Sequence, residues 1–180
     1  MSRSTGRPPP HNVEAEASLL GALLLSPQAI ADVEEMNVRS DDFYKPAHQF
    51  IHDAIRSLTQ AGQPVDGVAV AEELRRGGVL EDIGGPGLLI DLQTVTPAIS
   101  NARRYASIVL RTSLLRRVIG MAGELAEMAY DEPDDTRKLL NLLVDAQRLV
   151  EYDDPSSGTS LPDDFFSYMD LDERVAARHA

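Results

Sequence analysis

Residues 101–130 contain no proline, and Gly120 and Gly123 are the only glycines in the run. Apolar side chains recur there at spacings of three and four, the period of an α-helix. The stretch predicts one helix of about 30 residues, on the order of 45 Å at 1.5 Å per residue. Asp131-Glu132-Pro133-Asp134-Asp135 breaks it, and a second helix is expected to run to about Tyr152. The short connection predicts that the two arms lie antiparallel as a hairpin. One arm carries Leu114, Leu115, Val118, Ile119, Met121 and Leu125; the other carries Leu139, Leu140, Leu142, Leu143, Leu149 and Val150. That is more apolar surface than the narrow seam of a two-helix pair consumes. The surplus is expected to pack on the N-terminal helices or on another copy of the chain. We take Leu114, Leu115, Val118, Ile119, Leu125, Leu139, Leu142, Leu143 and Leu149 as the candidate interface, since left bare they would form a sizeable patch.

The rest of the chain also has helical periodicity and lacks alternating β-branched runs. Leu19, Leu20, Leu23 and Leu24 mark a first helix over 14–25. Ser26-Pro27 pairs an N-cap with proline at the first helical position and opens a helix to about Met36. Pro46 opens another, with Phe50, Ala54, Ile55 and Leu58 as its expected inward face and Gly62 as its stop. Asp66 caps a helix over 67–76 that ends at Gly77-Gly78, and a short helix over 87–94 follows the glycine-rich turn at 84–87. The fold class is all-α: a small multi-helix head over 13–98, a helical hairpin over 99–152, a flexible arm over 1–12 and an acidic linker over 153–180. That linker holds seven acids and two bases, and Phe165, Phe166, Tyr168, Met169 and Leu171 suggest a short amphipathic helix within 163–177.

The 180 residues include no cysteine, so neither a disulfide framework nor a thiolate metal site is available, which makes a cytoplasmic location the default. The longest apolar run, Ala22 to Leu25, is far short of a membrane span, and no apolar stretch follows Arg3 and Arg7 to make a secretory signal. Both lysines lack a preceding glycine, so no phosphate-binding P-loop can be built. No Gly-x-Ser-x-Gly elbow occurs. His48 and His52 stand four apart on one helical face, but Gln49 occupies the place of the carboxylate that a hydrolytic zinc site requires. They read as surface or hydrogen-bonded core histidines. The chain therefore reads as non-enzymatic, with no catalytic, metal or cofactor residue.

Charge is unevenly placed. The formal net charge is −12, yet residues 101–123 hold Arg103, Arg104, Arg111, Arg116 and Arg117 and no acid. Arginine suits bidentate pairing to carboxylate or phosphate. Salt bridges to acidic helices of the same fold or of a second copy, phosphate contact with nucleic acid, and plain solvation are the open readings. The acidic total argues against a general nucleic-acid-coating surface, and Tyr105 alone is a sparse platform for stacking bases.

Pro8-Pro9-Pro10-His11-Asn12-Val13-Glu14-Ala15-Glu16 leads into Ser18-Leu19-Leu20-Gly21, followed by Asp42-Phe43-Tyr44 with His48 four residues on, and by Gly62-Gln63-Pro64-Val65-Asp66. Val79-Leu80, Gly84-Gly85, Thr96-Pro97-Ala98, Asn101 and Tyr105-Ala106-Ser107-Ile108-Val109 come next in order. This series, covering about residues 8–152, resembles the N-terminal domain of DnaB-type bacterial replicative DNA helicases. The resemblance implies a helical head with a two-helix hairpin, copies that pair and then assemble as three pairs into a collar, and docking of primase and the helicase loader. It further implies that DNA is met only indirectly, through the assembled ring, and that ATP and magnesium belong to a motor domain whose Walker motifs are absent from these residues. A free-standing regulator that joins helicase subunits is the alternative reading.

Overall fold

A computed structural model of the chain describes residues 8–131 and 137–144. Among these, the regular structure is entirely helical: α1 Val13–Leu25, α2 Pro27–Glu34, α3 Pro46–Gln60, α4 Gly67–Arg76, α5 Gly85–Val95 and α6 Ala102–Tyr130, with residues 137–144 forming a further helical stretch, α7. Single 3-10 turns at Ser40–Asp42 and Ile99–Asn101 lead into Phe43 and α6. The chain divides after Gly120 into two compact units.

The helix starts follow capping chemistry. Asn12 accepts from the Ala15 amide at 2.9 Å, Ser26 from Ala29 at 3.3 Å, and Asp66 from Val68 and Ala69 at 2.9 and 2.8 Å. Proline stands in the first turn of α2, α3 and α5, where its missing N–H costs nothing. Gly84 and Gly85 adopt φ of 117° and 68°, so the glycine-rich turn itself starts α5, two residues earlier than its sequence pattern indicates.

In the first unit α1 is the central element. It is apolar almost all round, and Leu19, Leu20, Leu23 and Leu24 are buried together with Ala15 and Ala22. It packs on α2, α3 and α5. Its approach to α5 is close enough that a Cβ at Gly21 would overlap the Leu92 carbonyl and Thr96 Oγ1. The buried face of α3 is His48, Ile51, His52, Ala54, Ile55 and Leu58. Phe50, expected on that face, is instead half in solvent. The correction has a simple cause: positions 51, 55 and 58 define the inward stripe, and residue 50 lies about 100° away from 51 around the helix. Phe43 takes the large-aromatic place in the core instead. Ala102, Ala106 and Val109 bring the first turns of α6 into the same core, and Ser113 is the last buried residue of that helix.

The second unit is described over residues 121–131 and 137–144, both helical apart from the turn at Asp131. The remaining course of the expected second arm, with Leu149 and Val150, and the acidic linker lie outside the described residues.

Candidate functional site

The sequence points to two features of α6, its arginines and its apolar stripe, and the 40–44 corner of the head holds that helix at Ser113, Arg116 and Arg117. Asp42 is 1% exposed. One carboxylate oxygen accepts from Ser113 Oγ at 2.6 Å and pairs with the Arg117 guanidinium; the other accepts from the Arg39 amide at 2.8 Å. Arg116 donates to the carbonyl of Asp42, and also to that of Pro10 at 2.9 Å. Its guanidinium lies 5.8 Å from the centroid of Tyr44, whose ring stacks on His11 at 4.3 Å with an interplanar angle of 14°. The N-terminal segment, the corner and the stretch of α6 from Ser113 to Arg117 are thus joined through charge-assisted hydrogen bonds.

Beneath this corner sits a second buried carboxylate. Glu16 on α1 is fully buried and accepts from the Tyr44 amide at 2.7 Å, the Lys45 amide at 3.3 Å and His48 Nδ1–H at 2.8 Å. A carboxylate in this place accepts only, so the proton resides on His48 Nδ1. Burial pushes the Glu16 carboxyl upward, but hydrogen bonds from His48, Tyr44 and Lys45 outweigh it and hold the group below its ordinary value. His52, one turn on, gives its Nδ1–H to Ser40 Oγ at 2.9 Å, and Ser40 in turn donates to Asp53. Desolvation, with help from the Arg56 charge, lowers the His52 imidazole to about 4. Both histidines are therefore buried, hydrogen-bonded groups. Among the described residues no cluster of three or more metal-ligating side chains occurs.

The five arginines do not converge. Arg116 and Arg117 serve the corner, and Arg103 pairs with Glu35 at 2.8 Å and donates to the Asp32 carbonyl at 3.2 Å. Arg104 and Arg111 are exposed and take part in no ion pair among the described residues. The apolar candidates fare differently. Leu114 is half-buried, whereas Leu115, Val118 and Ile119 are 43%, 43% and 56% exposed. They stand at i, i+3 and i+4, and so form one contiguous strip. In the second unit Leu125, Leu139, Leu142 and Leu143 are half-buried and Leu140 and Val144 exposed.

The chain and its fold have counterparts among known proteins. A model of the DnaB-like helicase N-terminal domain matches residues 8–111. The chain belongs to that family. It is 46% identical over 129 residues to the replicative DNA helicase DnaB of Mycobacterium leprae, covering 72% of this chain and 21% of that protein. It is 40% identical over 135 residues to the replicative DNA helicase DnaC of Bacillus subtilis, covering 75% and 30%. The chain thus spans less than a third of these curated relatives. The crystal structure of the N-terminal domain of DnaB helicase from Mycobacterium tuberculosis superposes with a TM-score of 0.71 and 41% identity, over 79% of this chain and 99% of that one. A DnaB-like replicative helicase solved for its interactions with primase shares the fold at TM-score 0.60 and 20% identity, over 89% and 35%. As in the family, the domain is helical, and no described helix is long and apolar enough to cross a membrane.

Within this DnaB-type domain, sequence reasoning missed Asp42 and Glu16 as network centres, because acids on a helical chain read as solvated or capping. Their one available signal was membership of the motif series, Glu16 in the opening segment and Asp42 beside Phe43-Tyr44. Asp42→Ala should leave Ser113, Arg117 and the Arg39 amide without their acceptor and cost about 1–3 kcal/mol. Urea unfolding checks this, and Asp42→Asn, which keeps an acceptor, should lose less.

Proposed function

We propose that the chain is a non-catalytic module through which replicative helicase subunits assemble and dock partners. The observation that carries this reading is the strip of Leu115, Val118 and Ile119, left in solvent on a helix already fixed to a complete core. A contiguous apolar strip of this kind is the ordinary signature of an interface. Its position supports pairing: the Asp42 corner clamps α6 up to Arg117, so the strip is presented from a rigid base. The closed symmetry of a pair buries the same strip on both copies, and three pairs close a ring without leaving an open end. Primase is the supported docking partner, because the likeness includes a helicase studied in its interactions with primase; the helicase loader is proposed from family resemblance. DNA would be met through the assembled ring, ATP and magnesium would belong to a motor elsewhere in the helicase, and the setting is the cytoplasm.

Sedimentation equilibrium across tens of micromolar tests the pairing. The wild type should have the mass of a dimer or larger species, and Leu115→Asp should release folded monomers. Leu115 is exposed, so the substitution leaves the core intact. A wild type that stays monomeric at tens of micromolar contradicts the reading.

A further inference from the structure

A groove runs between α2 and α3, lined by none of the strip residues and bordering the Asp42 corner only at Arg39 and His52. Its wider part is a cavity of about 640 Å³, floored by Leu23, Val33, Val38 and Ile55 and rimmed by Arg39 and Arg56. Its narrower part, about 300 Å³, is apolar and is lined by Pro27, Ile30, Ala31, Pro64 and Val65. The two parts share Ile30, Glu34 and Thr59, so they form one trough. His52, Arg56 and Gln60 stand one turn apart along its α3 wall, which makes the wider part alone about 12 Å long.

The trough is polarised. In the wider part Arg39 and Arg56 are exposed, and neither takes part in an ion pair among the described residues, although the chain as a whole is strongly acidic. Glu34 is the one acid on the wall. The narrower part is aliphatic and proline-lined. Two forked guanidiniums match carboxylates, and an apolar furrow two helical turns long accepts side chains spaced three and four apart. A compact anion would use only the basic end. An acidic–apolar peptide would use both.

We propose that the α2–α3 groove binds a short amphipathic peptide segment of a partner protein, acidic at one end and aliphatic along the rest. The acidic residues sit against Arg39 and Arg56, and the aliphatic ones enter between Ile30 and Val65. This deepens the docking reading, on which it rests, by assigning it a place and a partner chemistry.

The test is fluorescence anisotropy with the full chain and a labelled synthetic peptide of about twelve residues, a length suited to a groove-bound helix. The peptide has aspartates in its first turn and leucines at three- and four-residue spacing. Saturable binding is expected. Arg39→Glu with Arg56→Glu should weaken it at least about tenfold, as should Ala31→Arg, which fills the aliphatic end. Both changes are at exposed positions and should leave the thermal unfolding curve in place. A peptide with asparagine for aspartate should bind correspondingly less well. Equal binding by wild type and both variants overturns the proposal, as does complete displacement of the peptide by inorganic pyrophosphate at matched concentration, the mark of an anion site alone. Sedimentation of the same samples separates the two readings. A dimer that does not bind the peptide refutes the groove and leaves pairing standing, whereas a monomer that binds it refutes pairing.

Discussion

Glu16→Ala should cost about 3–5 kcal/mol, the scale on which removing one partner of a buried charged network acts. The residue is fully buried, and the change leaves the His48 imidazole and the amides of Tyr44 and Lys45 without their acceptor. Those two amides stand at the entrance to α3, which begins at Pro46 without a side-chain cap of its own. Glu16 supplies the missing acceptor from another helix. Its loss should loosen the start of α3 and the 40–44 corner together, and with them the seat of α6. Urea denaturation gives the stability loss. Amide hydrogen exchange should show protection falling first at residues 44–50.

Glu16 and His52, which lies one turn beyond His48 on α3, set the acid response. Glu16 is held below its ordinary 4.5 and His52 is lowered from 6.5 to about 4. A group whose folded value is depressed contributes stability above its unfolded value and loses it as pH falls towards the folded one. Stability should therefore decline from about pH 6.5 to 4 as the unfolded chain, but not the fold, protonates His52. That depression corresponds to about 3 kcal/mol. Below pH 4.5 Glu16 adds a second decline. His52→Gln should flatten the upper part of the profile and Glu16→Gln the lower, each read from urea midpoints at half-unit steps of pH.

Gly21→Ala should destabilise the head by about 1–3 kcal/mol, and Gly21→Val by more. An added Cβ overlaps the backbone carbonyl of Leu92 and Thr96 Oγ1. A backbone carbonyl cannot rotate aside, so α1 and α5 must move apart along a buried contact. Alanine would ordinarily gain about 1 kcal/mol over glycine in a helix, and the overlap reverses that sign. Gly120→Ala provides the control: nothing lies within 4 Å of its added Cβ, so it should stabilise α6. Opposite signs for one substitution on two helices, measured by thermal unfolding, separate close packing from intrinsic propensity.

Much of the architecture is legible in the residues themselves. Helix starts at Ser26-Pro27, Pro46 and Asp66, and the unbroken run to Tyr130, follow from local rules, since caps, prolines and glycines act within a turn or two of where they stand. The α-helical class follows from periodicity for the same reason. The family was legible in an ordered series of small motifs. What periodicity misplaces is Phe50, which turns to solvent while Ala54, Ile55 and Leu58 face inward as expected, and the start of α5, where glycines at positive φ open the helix.

The partners of charged groups belong to a different category. Arg116 and Arg117 carry nothing in their local sequence that points to Asp42, more than 70 residues away, and nothing near Glu16 announces that it closes the start of α3. Those pairings depend on which helices meet. In the same way the leucine-rich arms could be listed from the chain, but only packing decided that Ser113 ends the buried face of α6 and that Leu115, Val118 and Ile119 stay outside it. Local backbone preference is written in neighbouring residues; burial, and with it the fate of a charge or a methyl group, is a property of contacts between segments far apart in the chain.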